Sequence, residues 1–413
     1  MSEESILGSK INDLYKSLCQ KEWNATMTGV AVALLSILVM AWWRPWGAVG
    51  AIRNWGDWIM YGLTNLIGTD VGIFGYYEEA PKGIFSDTGS VIGIGFVAGA
   101  FVSACLGNDF AFRVPPVLEM CKGVVAGVFM GIGSALAGGC NVGGFYNAIG
   151  NLSAHGFAMW LGIVIGVIIG LKYIYWEMEN VTWGSGGATT IEFPKALKAI
   201  LGVAALAALI AGTYIYAGKD DDYIASLGGL LIIAAGLGYS MQRGRWCMIQ
   251  GFREPHMTGN CTMAKSVALS IFIVALGATV LKYGVPIRLD GDPVLDPINY
   301  VRATFGWGGV VGGIVFGLGA MLAGGCGTGT LWRIGEGQIK LWIAVVLFAI
   351  SNSIMTAWFT DMEFEADGVL GKAVYLPDVF GYGGTLFLIG AFLVVWYITV
   401  EWNEESNKLI VGM

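Results

Sequence analysis

Residues 131–140 read GIGSALAGGC, and residues 317–326 read GLGAMLAGGC, the same phrase 186 positions later. Extended back to Gly123 and Gly309, the two copies share 11 of 18 residues. Each closes a long apolar run on Ala-Gly-Gly-Cys, ending at Cys140 or Cys326. Each is followed by a second flexible stretch, Asn141-Val142-Gly143-Gly144 in one and Gly327-Thr328-Gly329-Thr330 in the other. A thiol set twice, by the same local sequence, where an apolar helix breaks off is more than packing asks for. It suggests a duplicated membrane protein with a cysteine from each half facing a shared central path.

The composition agrees. Of 413 residues 55% are apolar and 13% charged, and 64 are glycine, roughly double the usual share. A mean hydropathy of +0.66 excludes a soluble domain and predicts an all-α polytopic membrane protein. Strand-like alternation over short segments, the mark of a barrel, is missing from the sequence. Seven cysteines without a CxxC pair argue against a disulfide framework. Two histidines, His155 and His256, are too few for a bis-His haem bundle or a His-based metal centre, so no cofactor is expected. The net charge of −7 gives no reason to expect a nucleic-acid partner, and the sequence carries no signal of oligomeric state.

Ten apolar segments are predicted, near 26–43, 88–106, 118–139, 155–174, 196–217, 226–241, 263–283, 307–326, 338–358 and 381–400. Residues 1–25 form a polar leader, 26–217 a first membrane repeat and 218–413 a second with a short tail. No small-residue cleavage site follows the first segment, so it reads as a retained helix. Within the first repeat, 44–87 carries Trp46, Trp55, Trp58, Tyr61, Tyr76 and Tyr77 and is expected to lie along the membrane interface. With both termini inside, the loops left outside hold eight of the 23 Lys and Arg, as the positive-inside rule expects. The first Gly-Gly-Cys then closes the third segment, running outward, and the second closes the eighth, running inward. An offset of five segments makes the halves opposite in orientation: inverted-topology repeats, with broken or re-entrant helices at the Gly-Gly-Cys motifs. The plainer alternative is a glycine packing motif duplicated with the rest of the chain. It accounts for the glycines but not for a cysteine at the same place in both copies.

Paired glycines release the backbone from helix geometry, which is tolerable at membrane depth only inside protein or along a cavity. Gly139-Cys140-Asn141 and Gly325-Cys326-Gly327-Thr328 therefore offer free N–H groups, polar side chains and a soft thiol to an anion. A single membrane cysteine is more often a small buried hydrophobe, and Cys105, Cys121 and Cys261, lacking repeat partners, are read as packing. Cys19 in the leader reads as incidental. Gln242-Arg243-Gly244-Arg245-Trp246-Cys247, continuing to Arg253-Glu254, puts three arginines and a third thiol in one short stretch. It reads equally as an anion-attracting loop or as ordinary membrane anchoring. Arg333 and Glu336 would be neighbours on a helix, as a gate, an ion pair or a helix-end anchor. His155, heading the fourth segment, is an anion-attracting candidate whose ordinary reading is a satisfied interfacial residue. Glu119 and Lys122 open the third segment as a candidate pair.

These residues together resemble the sulfur-transport (YeeE/YedE) membrane family. The resemblance rests on the twin Ala-Gly-Gly-Cys, on Gln242-Arg-x-Arg-x-x-Cys247 with Phe252-Arg253-Glu254, on Arg333-x-x-Glu336-Gly337-Gln338, and on Ser153-Ala154-His155 after the first motif. It covers roughly 85–410 and is closest to the longer YedE form. It implies a prokaryotic inner-membrane transporter that takes up a small sulfur anion such as thiosulfate by transient contacts with Cys140, Cys326 and Cys247. It also implies a link to selenium compounds in YedE-type members and a small TusA-like sulfur carrier as a possible partner. The added N-terminal portion and acidic outer loops depart from the shorter thiosulfate carriers. Two other classes stand beside the transporter. A membrane sulfurtransferase needs an accessible thiolate with a base beside it, whereas the motif cysteines are expected at membrane depth without one. A non-transporting anchor for a soluble partner leaves the duplicated central motifs without a purpose. The chain is therefore expected not to be an enzyme.

Overall fold

Among the described residues ten helical spans, from Ala25–Trp42 to Leu376–Ser406, are long and apolar enough to cross a bilayer, one for each predicted segment. The computed structural model describes residues 3–68, 72–184, 186–288, 300–364 and 368–412. After a surface helix α1 (Glu3–Tyr15), the chain forms α2 (Ala25–Trp42), α3 (Ala48–Ile67), α4 (Thr88–Leu106) and α5 (Val117–Leu136). A broken stretch holding the four-residue α6 (Asn147–Gly150) leads to α7 (His155–Asn180) and α8 (Lys195–Ala217). The second half follows as α9 (Asp222–Arg243), α10 (Met248–Met257), α11 (Thr262–Thr279), the short α12 (Val285–Arg288), α13 (Trp307–Ala323), α14 (Gly327–Gly335), α15 (Ile339–Asp361) and α16 (Leu376–Ser406). A two-stranded antiparallel ribbon, β1 (Ala111–Val114) with β2 (Thr189–Glu192), sets Ala111 opposite Glu192.

Local chemistry sets several helix starts. Asn24, Asp87 and Asp221 accept from the N–H groups of Thr26, Ser90 and Tyr223 at 2.7–2.8 Å, so α2, α4 and α9 each begin on a polar cap. Glycine sets the crossings. A Cβ on Gly99 of α4 would stand on the backbone of Ala235 of α9, and one on Gly238 of α9 would stand on that of Phe96 of α4. Helices this close gain dispersion contacts along their whole length, which is what drives association in lipid.

Four helices form one closely packed group. α13 packs on both α5 and α7, and α15 packs on α5. The contacts recur in exchanged form: α13 lies on α7 as α5 lies on α15, α4 on α9 as α11 on α2, and α14 on α4 as α6 on α11. Both termini reach one face. There Tyr15 donates to Leu106 O at 2.8 Å and Val411 N to His256 O at 2.8 Å. Near that face the candidate pair is real and part of a larger clamp. Lys122 pairs with Glu119 and, at 2.7 Å, with Glu177, while Lys340 reaches Glu119 at 2.5 Å, tying α5, α7 and α15.

Trp46 and Tyr77 are packed inside the protein, 1% and 6% exposed: Trp46 donates to Ser36 Oγ against Phe96 and Tyr77 bonds Ser353 of α15. One expectation needs correction. Cys121 is not packed but exposed on the outside of α5.

Candidate functional site

Both motifs end their helices in the same way. Gly138 and Gly324 take positive φ, +67° and +77°, which reverses the chain after α5 and α13. Cys140 (φ −78°, ψ −177°) and Cys326 (φ −75°, ψ −177°) then run extended, each as the residue before a new helical turn. Beyond Cys140 that turn is a wide one, Asn141–Tyr146, and beyond Cys326 it is α14. The broken helices expected from the paired glycines are therefore present. Neither second glycine has room for a side chain: a Cβ on Gly139 would press on Gly144 N at 2.7 Å, and one on Gly325 on the Arg333 guanidinium at 2.8 Å.

The two breaks meet. Asn141 Oδ1 accepts from Gly327 N at 3.1 Å, and Asn141 Nδ2 reaches Met248 Sδ at 3.1 Å. A Cβ on Gly327 would lie 3.2 Å from Cys140 Sγ. Cys326 Sγ accepts from Gly329 N at 3.3 Å, contacts Thr328 Oγ1 at 3.4 Å and sits 3.5 Å from Cys247 Sγ. All three thiols are fully buried. The sequence placed Cys247 some 80 residues from Cys326; the fold puts their sulfurs in contact.

On one side of this cluster a cavity of about 600 Å³ runs from Cys140 to the face opposite the termini. Arg44, Arg53, Arg302 and Tyr300 line it, with Glu363 at its rim. Arg44 lies over the Trp43 ring at 4.2 Å and Arg302 over Tyr300 at 5.3 Å, while Arg53 faces Asp57 at 3.8 Å. Among the described residues neither Arg44 nor Arg302 has a carboxylate partner. Burial raises the Asp57 carboxyl above its usual range, against the Ser353 hydroxyl and Arg53 that favour its ionised form. Sequence reasoning passed over these cationic residues. Arg44 follows the end of α2 and Arg302 lies in no repeat or motif; only the topology brings them together.

The other side is closed. Glu336 is fully buried and pairs with Arg245 at 2.5 Å, with Arg113 farther off at 3.9 Å and the Gln338 amide at 3.1 Å. Arg243, 3% exposed, pairs with Asp109 and donates to Cys19 O, and Trp332 lies between Arg245 and Arg333. Glu336 is thus an ion-pair centre, but its partner is not Arg333. Arg333 turns back and donates to Gly324 O, the open end of α13, as a helix-end anchor. Arg253 meets Glu254 at 4.0 Å and makes no hydrogen bond or ion pair with the cysteine cluster. His155 is buried and does not line the cavity. Its Nδ1 bonds Ser153 Oγ at 2.9 Å, its Nε2 is unpartnered among the described residues, and Tyr300 stands between it and the cavity, 6.1 Å away ring to ring.

An all-α polytopic protein with a cation-lined cavity ending on the buried thiol of Cys140 is a membrane transport protein. The chain belongs to the sulphur transport family, whose model matches residues 4–169 and 243–411. The stretch between the two matches holds α8, the least buried of the spans. The chain is 26% identical to a probable transporter, YedE, of Salmonella typhimurium over 378 residues, 87% of each chain. It is 37% identical over 127 residues to the thiosulfate transporter TsuA of Escherichia coli, 30% of this chain and 33% of that one. Against the thiosulfate transporter TsuA of Spirochaeta thermophila it is 32% identical over 195 residues, 43% and 56% of the two chains.

Proposed function

We propose that this protein carries a thiosulfate-like sulfur anion inward across the cytoplasmic membrane of a prokaryote. The observation that carries the reading is the meeting of Cys140, Cys326 and Cys247 in one buried cluster beneath a cavity lined by three arginines. An anion cannot enter hydrocarbon without replacements for its water. Guanidinium groups attract it to the cavity, and neutral thiols with freed backbone N–H groups then take over without binding it too tightly to leave. Thr328 and Asn141 hold the second thiol and the neck in place. Trp332, Arg333, Arg245 and Glu336 form the closed exit, with Arg253 outside the path.

The exchanged helix contacts support two inverted repeats, 26–217 and 218–413, and the balance of Lys and Arg supports termini on the cytoplasmic side. The closed end, with its exposed leader helix, is then the face where a TusA-like carrier would receive the sulfur. The test is uptake of labelled thiosulfate into proteoliposomes, with selenite, sulfite and sulfate as competitors. Cys140→Ala and Cys326→Ala should each abolish uptake while expression stays normal. Full uptake in both variants would sink the thiol path. Selenite outcompeting thiosulfate would assign the site to selenium.

A further inference from the structure

The two halves of the thiol cluster are not equal, and the difference names its specificity. Trp246-Cys247 leads into α10 as Trp46-Gly47 leads into α3. Both tryptophans are buried with their indole N–H on a serine hydroxyl, at 2.8 and 2.9 Å. Both following residues run extended, Cys247 at φ −143° and Gly47 at φ −158°. Each faces the glycine three residues past a motif cysteine. A Cβ on Gly329 would meet Cys247 Sγ at 2.9 Å, and one on Gly47 would meet Gly143 Cα at 3.5 Å. Gly47 is therefore the counterpart of Cys247 without its side chain. The space is not left to solvent alone: a Cβ on Gly143 would meet the Tyr300 hydroxyl at 2.8 Å, so that oxygen stands where the matching thiol would stand.

We propose that Tyr300 and Arg302, above the bare backbone of Gly47, are the specificity-determining subsite for the oxygen-bearing end of the anion. The inference rests on the transport reading. A phenolic O–H and a guanidinium are strong donors suited to hard sulfonate oxygens, whereas a thiol is a weak donor suited to sulfur. The cavity end thus reads oxygen and the closed end, with Cys247 against Cys326, reads sulfur. The substrate class is a tetrahedral oxyanion that also carries a terminal sulfur. Sulfate fits the first subsite and finds nothing suited to it at the second.

The first measurement uses the purified full-length protein with Gly47→Cys, labelled by a charged maleimide against the wild-type background. A Cβ on Gly47 meets only ordinary contact distances and the backbone there is extended, so the substitution does not strain the chain, and its sulfur lies beside the Tyr300 hydroxyl. Sulfate alone should slow labelling, and adding Tyr300→Phe or Arg302→Gln should weaken that protection by about tenfold. The second measurement is thiosulfate uptake by Tyr300→Phe in the otherwise native chain, where KM should rise by about tenfold and inhibition by sulfate should weaken in parallel. A Gly47→Cys that does not label, protection that survives both substitutions, or an unaltered KM and sulfate inhibition in Tyr300→Phe would each overturn the proposal. Tyr300-dependent protection by sulfate in a protein that takes up no thiosulfate would sustain the subsite and defeat the transport reading instead.

Discussion

Glu336 shows how a residue can be visible in sequence while its partner is not. Spacing pairs it with Arg333, three positions away. The fold gives it Arg245, 91 positions away at 2.5 Å, and sends Arg333 to cap α13. The reason is geometric. Arg333 lies in the last turn of α14 and points back at the freed carbonyl of Gly324, while Glu336 lies beyond that turn. Removing one partner of a fully buried pair costs about 3–5 kcal/mol. Arg245 is 35% exposed, so screening brings the expectation for Arg245→Gln down to about 1–3 kcal/mol. Thermal unfolding in detergent should show that loss, and Arg245→Gln with Glu336→Gln should recover most of it. A double variant no better than the sum of the two would mean the charges do not interact. Cys140 and Cys326 were legible at this scale because they recur; Cys247 was visible as a third thiol beside three arginines, but its role stayed open, since its 3.5 Å approach to Cys326 depends on where α10 begins. Arg44 and Arg302 were not legible at all, because a lone arginine after a helix reads as an anchor until the chain is folded around it.

At the scale of elements, all ten spans were visible as apolar runs, because length against bilayer thickness is a strong constraint. What hydropathy hid is where spans stop being straight. The third predicted segment ended at 139, but the apolar run continues through a wide turn and α6 to Gly150. Burial also differs along one composition. α4 is mostly buried and α8 almost wholly open to lipid at equal mean hydropathy, since lipid and protein interior are alike to an apolar side chain. Glycine is what distinguishes them. Gly99→Ala should destabilise by about 1–3 kcal/mol, because its Cβ would stand on the rigid backbone of Ala235. Gly62→Ala in α3, with nothing within 4 Å, should instead stabilise by up to about 1 kcal/mol. Equal unfolding temperatures for the two variants would show that the α4–α9 contact is not tight.

For the whole molecule, the site belongs to neither half. Cys140 and Asn141 come from the first, Cys326, Cys247, Tyr300 and Arg302 from the second, and only residues 218–221 join α8 to α9. A chain cut within those residues should therefore reassemble. Halves 1–217 and 218–413, expressed together, should copurify and regain Cys326-dependent uptake, while either alone should give none. Uptake by a single half would contradict a path built between them. The recurrence of the motif was legible in the sequence, but which helices pack on which was not, because nothing in an apolar run says which neighbour it will meet.

The bond from Gly327 N to Asn141 Oδ1 joins the two broken motifs where they meet. A neutral hydrogen bond of this kind contributes only about 1 kcal/mol net, a small addition to the packing of α13 on α5 and α7 and of α4 on α9 that holds the halves together. On the proposed transport route the amide would serve as a fulcrum: a small tilt that parts Arg245 from Glu336 at one rim would pinch the cavity at the other, and the anion would never see both doors open.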